Sequence, residues 1–141
     1  MDILLVEDNP ADMRLVREAM TEGGLAARLH WESSGEAALS YLRRSADAAG
    51  QPLPDLILLD LNLHGLHGLE VLEQIKSDPL LKAIPVLILS SSSARSDVQD
   101  AYAAHANAYL VKPDDFEQFV ELVGAIRSYW LTSVLLPGQL G

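Results

Sequence analysis

"LPDLILLDLNLHGLHGLE", residues 53–70, decides how the rest of the chain is read. Leu56 to Leu59 form an unbroken apolar run of strand length, the pattern of a strand covered on both faces rather than one with a wet side. The run leads straight into Asp60, and no Lys or Arg stands between Leu53 and Glu70 to pair with it. A carboxylate at the end of a buried strand needs a reason, and the flanking elements supply one.

Working outward, apolar runs of strand length alternate with segments of helical period along the chain, which predicts parallel βαβ units. "DILLV" (2–6) precedes "NPADMRLVREAM" (9–20), where Asn9 suits a helix cap, Pro10 the first helical position, and Met13, Val16 and Met20 share a face. "RLHWES" reads as a weaker, edge-like strand, and "SSGEAALSYLRR" as a helix in which Ser33 and Glu36 have capping-box spacing. After the linker "SADAAGQPLP" comes "DLILLD", the most continuously apolar strand and so the expected centre of the sheet. "GLEVLEQIKS", "PVLILS", "ARSDVQDAYAAH" and "AYLV" continue the alternation. A last helix from about Asp114 puts Phe116, Phe119, Val120, Val123, Ile126 and Trp130 on one stripe.

The expected fold is therefore α/β: a flavodoxin-like, doubly wound (βα)5 unit with a five-stranded parallel sheet. Residues 1–141 read as one domain with an apolar extension from about 128. Ligands of such sheets bind beyond the carboxyl ends of the strands. Glu7 and Asp8, Asp60, Ser90 and Lys112 stand at four of those ends. Any one of them is ordinary loop polarity, but the joint pattern in the topology that gathers them is not.

Composition narrows the classes of partner. With 20 acidic and 10 basic residues the net charge is −10, which repels phosphate backbones and anionic membrane surfaces, so neither direct nucleic-acid nor membrane binding is expected. No cysteine is present, which removes disulfides and thiolate zinc sites. "MDILLVED" has no basic start and too short an apolar run for a signal peptide, so the expected location is cytoplasmic.

Carboxylates gathered within about 4 Å repel by roughly 4 kcal/mol per pair at an effective dielectric near 20. Lys112 offsets one charge, and a divalent ion is the natural supplement, magnesium above all, since it takes carboxylate oxygens while reaching a phosphate. Asp60 is then a candidate nucleophile that accepts a phosphoryl group as an acyl phosphate, with Lys112 and the Ser90 hydroxyl on the oxygens in transit.

These residues resemble the receiver domain of two-component response regulators over nearly the whole chain. The resemblance implies strand order 2-1-3-4-5, and in "LLVEDNPAD" it implies that Asp8 binds Mg2+ directly and Glu7 directly or through water, with Mn2+ or Ca2+ able to substitute. In "LLDLNL" it implies phosphorylation of Asp60 and an Asn62 main-chain carbonyl on the metal. It further makes Ser90 in "LILSSSS" the phosphoryl-binding hydroxyl, Lys112 in "AYLVKP" the phosphate-binding lysine, Tyr109 the aromatic switch, and the bond before Pro113 cis. "SDPLLKAIPVLILSSS", "NAYLVKP" and "SYWLTSVLLP" are most similar to the small stand-alone regulators that partner phytochromes, so a sensor histidine kinase, a phytochrome, is the implied partner. One departure is His64, where the family usually has proline, which leaves the stiffness of that loop open.

Other motifs carry less. His64 and His67 form H-x-x-H without a third ligand and read as surface histidines. Gly65 and Gly68 lack the context of a phosphate-binding loop and read as a tight turn and a close helix approach. Of the serines at 90–93 only Ser90 has a role, and Arg14 and Arg17 could face a kinase phosphotransfer domain or simply be solvated.

Only a helix and "LTSVLLPGQLG" follow the fifth strand, so output is expected through partners. Leu122, Ala125 and Tyr129, with Leu131, Val134, Leu135 and Leu136, point to a homodimer through the extension and the face of the fourth helix, fifth strand and fifth helix. Rival readings remain at this stage. A magnesium-dependent phosphohydrolase using Asp60 generally needs a second aspartate where Asn62 stands. A flavodoxin-like cofactor binder needs a hydroxyl-rich loop where "EDNPAD" is acidic. A non-phosphorylated interaction module has no feature in its favour, and no separate substrate turnover is expected.

Overall fold

The computed structural model describes residues 1–24, 26–47 and 52–137; the middle of the expected linker and the last four residues lie outside the described residues. Five strands alternate with five helices: β1 Asp2–Val6, α1 Pro10–Glu22, β2 Arg28–Glu32, α2 Gly35–Asp47, β3 Leu56–Leu59, α3 Gly68–Ser77, β4 Val86–Ser90, α4 Arg95–Ala103, β5 Ala108–Val111 and α5 Phe116–Ser128. A turn of π-helix, Tyr129–Ser133, follows directly. The strands form one parallel sheet in the order β2-β1-β3-β4-β5, as expected, with β3 at its centre.

Strand alternation divides the core into two layers. Ile3, Leu5, Leu56, Leu58, Leu87 and Leu89 pack under α1 and α5 with Met13, Val16, Phe119, Val123 and Ile126. Leu4, Val6, Ile57, Leu59, Val86 and Ile88 pack on the opposite face with Leu39, Leu42, Val71, Leu72 and Ile75. Because successive side chains point to opposite faces, a strand with helices on both sides must be apolar throughout, which is what "LILL" encodes. Each fully buried Leu or Ile contributes roughly 1.5–3 kcal/mol.

Local details differ from expectation in four places. The hydroxyl serving the start of α2 belongs to Ser34, which accepts from the Ala37 N–H at 3.1 Å, and Glu36 instead accepts from the Leu66 N–H at 2.8 Å. The helix begins one residue later than the Ser33 pairing requires, so Glu36 faces the loop after β3. Phe116 lies outside the core at 38% exposed, because α5 starts at that residue and its buried stripe begins a turn later with Phe119. The Lys112–Pro113 bond is trans, the form a prolyl bond ordinarily prefers by about 0.5–1 kcal/mol. The extension divides: Trp130 and Leu131 pack on the α1/α5 layer and Leu136 is buried, whereas Tyr129 and Leu135 are exposed.

Candidate functional site

The sheet ladder runs one residue past the apolar strands and delivers polar residues to a common edge. The Asp60 N–H donates to the Val6 carbonyl at 3.0 Å, and the Lys112 N–H to the Ser90 carbonyl at 2.8 Å. The Glu7 N–H donates to the Glu32 carbonyl at 3.1 Å, and the Trp31 indole N–H donates to the Glu7 carbonyl at 2.7 Å. Main-chain rungs therefore fix the origin of each functional side chain before any of them meets another.

What meets there is acidic and enclosed. Glu7 is 1% exposed and Asp60 5%. Lys112 Nζ lies 2.6 Å from Glu7 Oε2, 3.0 Å from Asp12 Oδ2 and 3.1 Å from Asp60 Oδ2. Burial drives the Glu7 carboxyl up to about 7; the Lys112 hydrogen bond opposes this and the Asp60 charge adds to it. Burial alone would lower the Lys112 ammonium, but its hydrogen bond to Glu7 and the charges of Glu7 and Asp60 outweigh it and push it up. One cation thus stands among three acids.

Glu7, Asp8 and Asp60 each present a carboxylate oxygen within 4.8 Å of the others. Three hard oxygen donors at that spacing suit a divalent ion of the magnesium or manganese type. The Asn62 N–H donates to Asp60 Oδ1 at 3.0 Å, and Asn62 Nδ2 reaches Ser90 Oγ at 3.4 Å. Ser90 is fully buried, and its Oγ also accepts from the Ser92 N–H at 3.2 Å. The Tyr109 hydroxyl donates to the Ser92 carbonyl at 2.8 Å, so a half-buried ring is tied to the loop that begins at Ser90.

Glu7, Asp8, Asp60, Asn62, Ser90 and Lys112 lie at this one edge, and Tyr109 reaches it through Ser92. Sequence reasoning missed Asp12, the third partner of Lys112. Its signal was available: Asn9 caps α1 and Pro10 opens it, so an acid in the first turn sits just above the strand ends. It also missed Ser92, whose Oγ donates to Asp97 Oδ2 at 2.5 Å, and the contact of His64 with Asp8. The Arg14 Nε donates to the Pro10 carbonyl at 3.3 Å. His67 caps α3, its Nδ1 accepting from the Leu69 N–H at 3.1 Å.

A doubly wound sheet with an aspartate, an acidic pair, a hydroxyl and a lysine at its carboxyl edge defines a class. Residues 3–124 match the response regulator receiver domain, and the chain belongs to that family. A probable methanogenesis regulatory protein of Methanothrix harundinacea, FilR2, is 44% identical over 96% of this chain and 87% of its own. The phosphorylated cyanobacterial phytochrome response regulator RcpA superposes with a TM-score of 0.88 at 43% identity, over 96% of this chain and 97% of its own. The Mn2+-bound form of the response regulator Rcp1 superposes with a TM-score of 0.86 at 42% identity, over 96% and 98%; Rcp1 is from a Synechocystis strain. Its likeness is thus to the phytochrome-associated group within the family. Among the described residues no helix is long and apolar enough to cross a membrane.

Proposed function

We propose that this chain is a stand-alone response regulator of a two-component phosphorelay that accepts a phosphoryl group on Asp60 from a sensor histidine kinase, a phytochrome. Residues 1–141 act as one receiver domain with an apolar extension from about 128. The observation that carries the reading is the placement of Asp60 Oδ2 3.1 Å from Lys112 Nζ and beside the carboxylates of Glu7 and Asp8.

Glu7, Asp8 and Asp60, with the Asn62 main-chain carbonyl, would hold Mg2+, for which Mn2+ or Ca2+ substitutes. When bound, the ion supplies positive charge against the carboxylates and the incoming phosphoryl oxygens. Asp60 attacks phosphorus: a carboxylate O–P bond forms as the P–N bond to the kinase histidine breaks, and the imidazole leaves with its electron pair. The Lys112 ammonium neutralises a phosphoryl oxygen, and the Ser90 hydroxyl turns to donate to another. Water later breaks the same O–P bond, so turnover is confined to the chain's own aspartyl phosphate.

Movement of Ser90 is passed to the surface through Ser92 and Tyr109, the switch residue. Tyr102, Val111 and Phe116 are exposed at 49%, 44% and 38% on α4, β5 and the start of α5. With Tyr129 and Leu135 of the extension they supply apolar surface for a homodimer. The primary reading is tested by treating the chain with acetyl phosphate and Mg2+ and weighing the product. The gain of one phosphoryl group is expected in the wild type, and neither in Asp60→Asn nor after chelation. Equal incorporation in Asp60→Asn moves the acceptor elsewhere.

A further inference from the structure

Asp8 is the member of the acidic cluster with no contact to Lys112, whose ion pairs go to Glu7, Asp12 and Asp60. Asp8 meets His64 instead. The His64 main-chain N–H donates to Asp8 Oδ2 at 3.0 Å, and the ring Nδ1 contacts the same oxygen. The His64 side chain is 97% exposed while that of Asp8 is 13% exposed, so the ring reaches Asp8 from the solvent side and packing does not hold it there. A proline at this position has neither the N–H nor a ring nitrogen to donate, so both contacts depend on this chain's departure from the family pattern.

A carboxylate oxygen that is already accepting donors has less charge and fewer lone pairs to offer a cation. The geometry points to His64 as a latch on Asp8 Oδ2 that competes with a divalent ion for that oxygen. The ring must give up its contact before Oδ2 can turn fully to an ion, and the affinity of the site for the ion is lowered by the share of chains in which the latch is closed. A loop residue that ligates nothing thereby sets the ion concentration at which the regulator becomes competent. The inference rests on the reading of Glu7, Asp8 and Asp60 as the ion site.

The test is a calorimetric titration of the full chain with MgCl2 and, separately, MnCl2. Wild type is compared with His64→Ala, His64→Asn and Asp8→Asn, each first checked for an unchanged thermal midpoint in chelator. His64→Ala is expected to bind either ion about two- to tenfold more tightly, the scale of one hydrogen bond to an accessible carboxylate. His64→Asn, whose Nδ2 can take the place of Nδ1, is expected to stay within about twofold of wild type. Affinity in His64→Ala no tighter than in His64→Asn overturns the latch. If wild type and all variants bind neither ion, the ion-site reading itself fails and takes the latch with it. Binding in wild type that is lost in Asp8→Asn leaves that reading standing and puts only the latch at issue.

Discussion

Glu7 is the least exposed acid beside Lys112, and its titration has a direction that can be worked out. Burial, opposed by the Lys112 hydrogen bond and reinforced by Asp60, places its folded pKa at about 7, against an ordinary value of 4.5. Between those values the folded chain holds a proton that the unfolded chain has released, so stability contributed by Glu7 falls as pH rises from 4.5 to about 7. At roughly 1.4 kcal/mol per unit the loss amounts to a few kcal/mol. In metal-free buffer the urea midpoint of the wild type should decline across that window, and that of Glu7→Gln should decline less. Parallel profiles would mean that Glu7 is not the group responsible. At this scale Glu7, Asp8, Asp60 and Lys112 were legible because a doubly wound sheet fixes where strand ends go. Asp12 is harder to single out, because first-turn acids ordinarily serve the helix dipole, although the cap at Asn9 and Pro10 puts this one near the strand ends. The His64 contact depends on the path of a loop whose next residue, Gly65, has φ +76°, and no periodicity encodes that.

The helices set how closely the loop after Asp60 can be approached. A Cβ on Gly68 would lie 2.3 Å from the Asp60 carbonyl oxygen and 2.5 Å from Leu61 Cα, and both neighbours are backbone, which cannot rotate away. The Gly68 N–H also donates to the Leu61 carbonyl at 3.0 Å, binding the start of α3 to the residue after Asp60. Gly68→Ala should therefore cost about 1–3 kcal/mol in denaturant titration, the range for overpacking. It should also slow phosphorylation by acetyl phosphate, since relief of the clash displaces the Asp60 segment. Wild-type stability with wild-type rate would count against so close an approach. The sequence reading of a close helix approach at Gly68 agrees with these distances. It placed the α2 cap one residue early because Ser33 and Ser34 are chemically equivalent and only the helix start separates them. Phe116 was put on the core stripe because an apolar period does not reveal which turn of a helix is first to reach the sheet.

Over the whole molecule, the two apolar layers could be anticipated because each central strand is apolar on both faces and each helix carries an apolar stripe, whereas the strand order followed from the resemblance and not from the pattern. The outer surface was less legible. An apolar extension can fold back or remain outside, and here Trp130, Leu131 and Leu136 do the first while Tyr129 and Leu135 do the second. With a net charge of −10, two copies repel at long range, and an apolar contact must outweigh that repulsion. Introducing two further acids on the proposed face, Val111→Glu with Phe116→Glu, should weaken self-association at least about tenfold in sedimentation equilibrium. The far-ultraviolet spectrum should be unchanged. Association equal to wild type would place the contact on another surface.

The main-chain rung between Lys112 and Ser90, described above, joins the outermost strand to its neighbour. The ammonium and the hydroxyl to which the proposed function gives the phosphoryl oxygens are thereby carried on adjoining rails about 4.8 Å apart. One rail already forms the rim of the protein. On the proposed function, news of the chemistry need travel no farther than the width of a single strand, by way of Ser92 and Tyr109, for a docked partner to feel it.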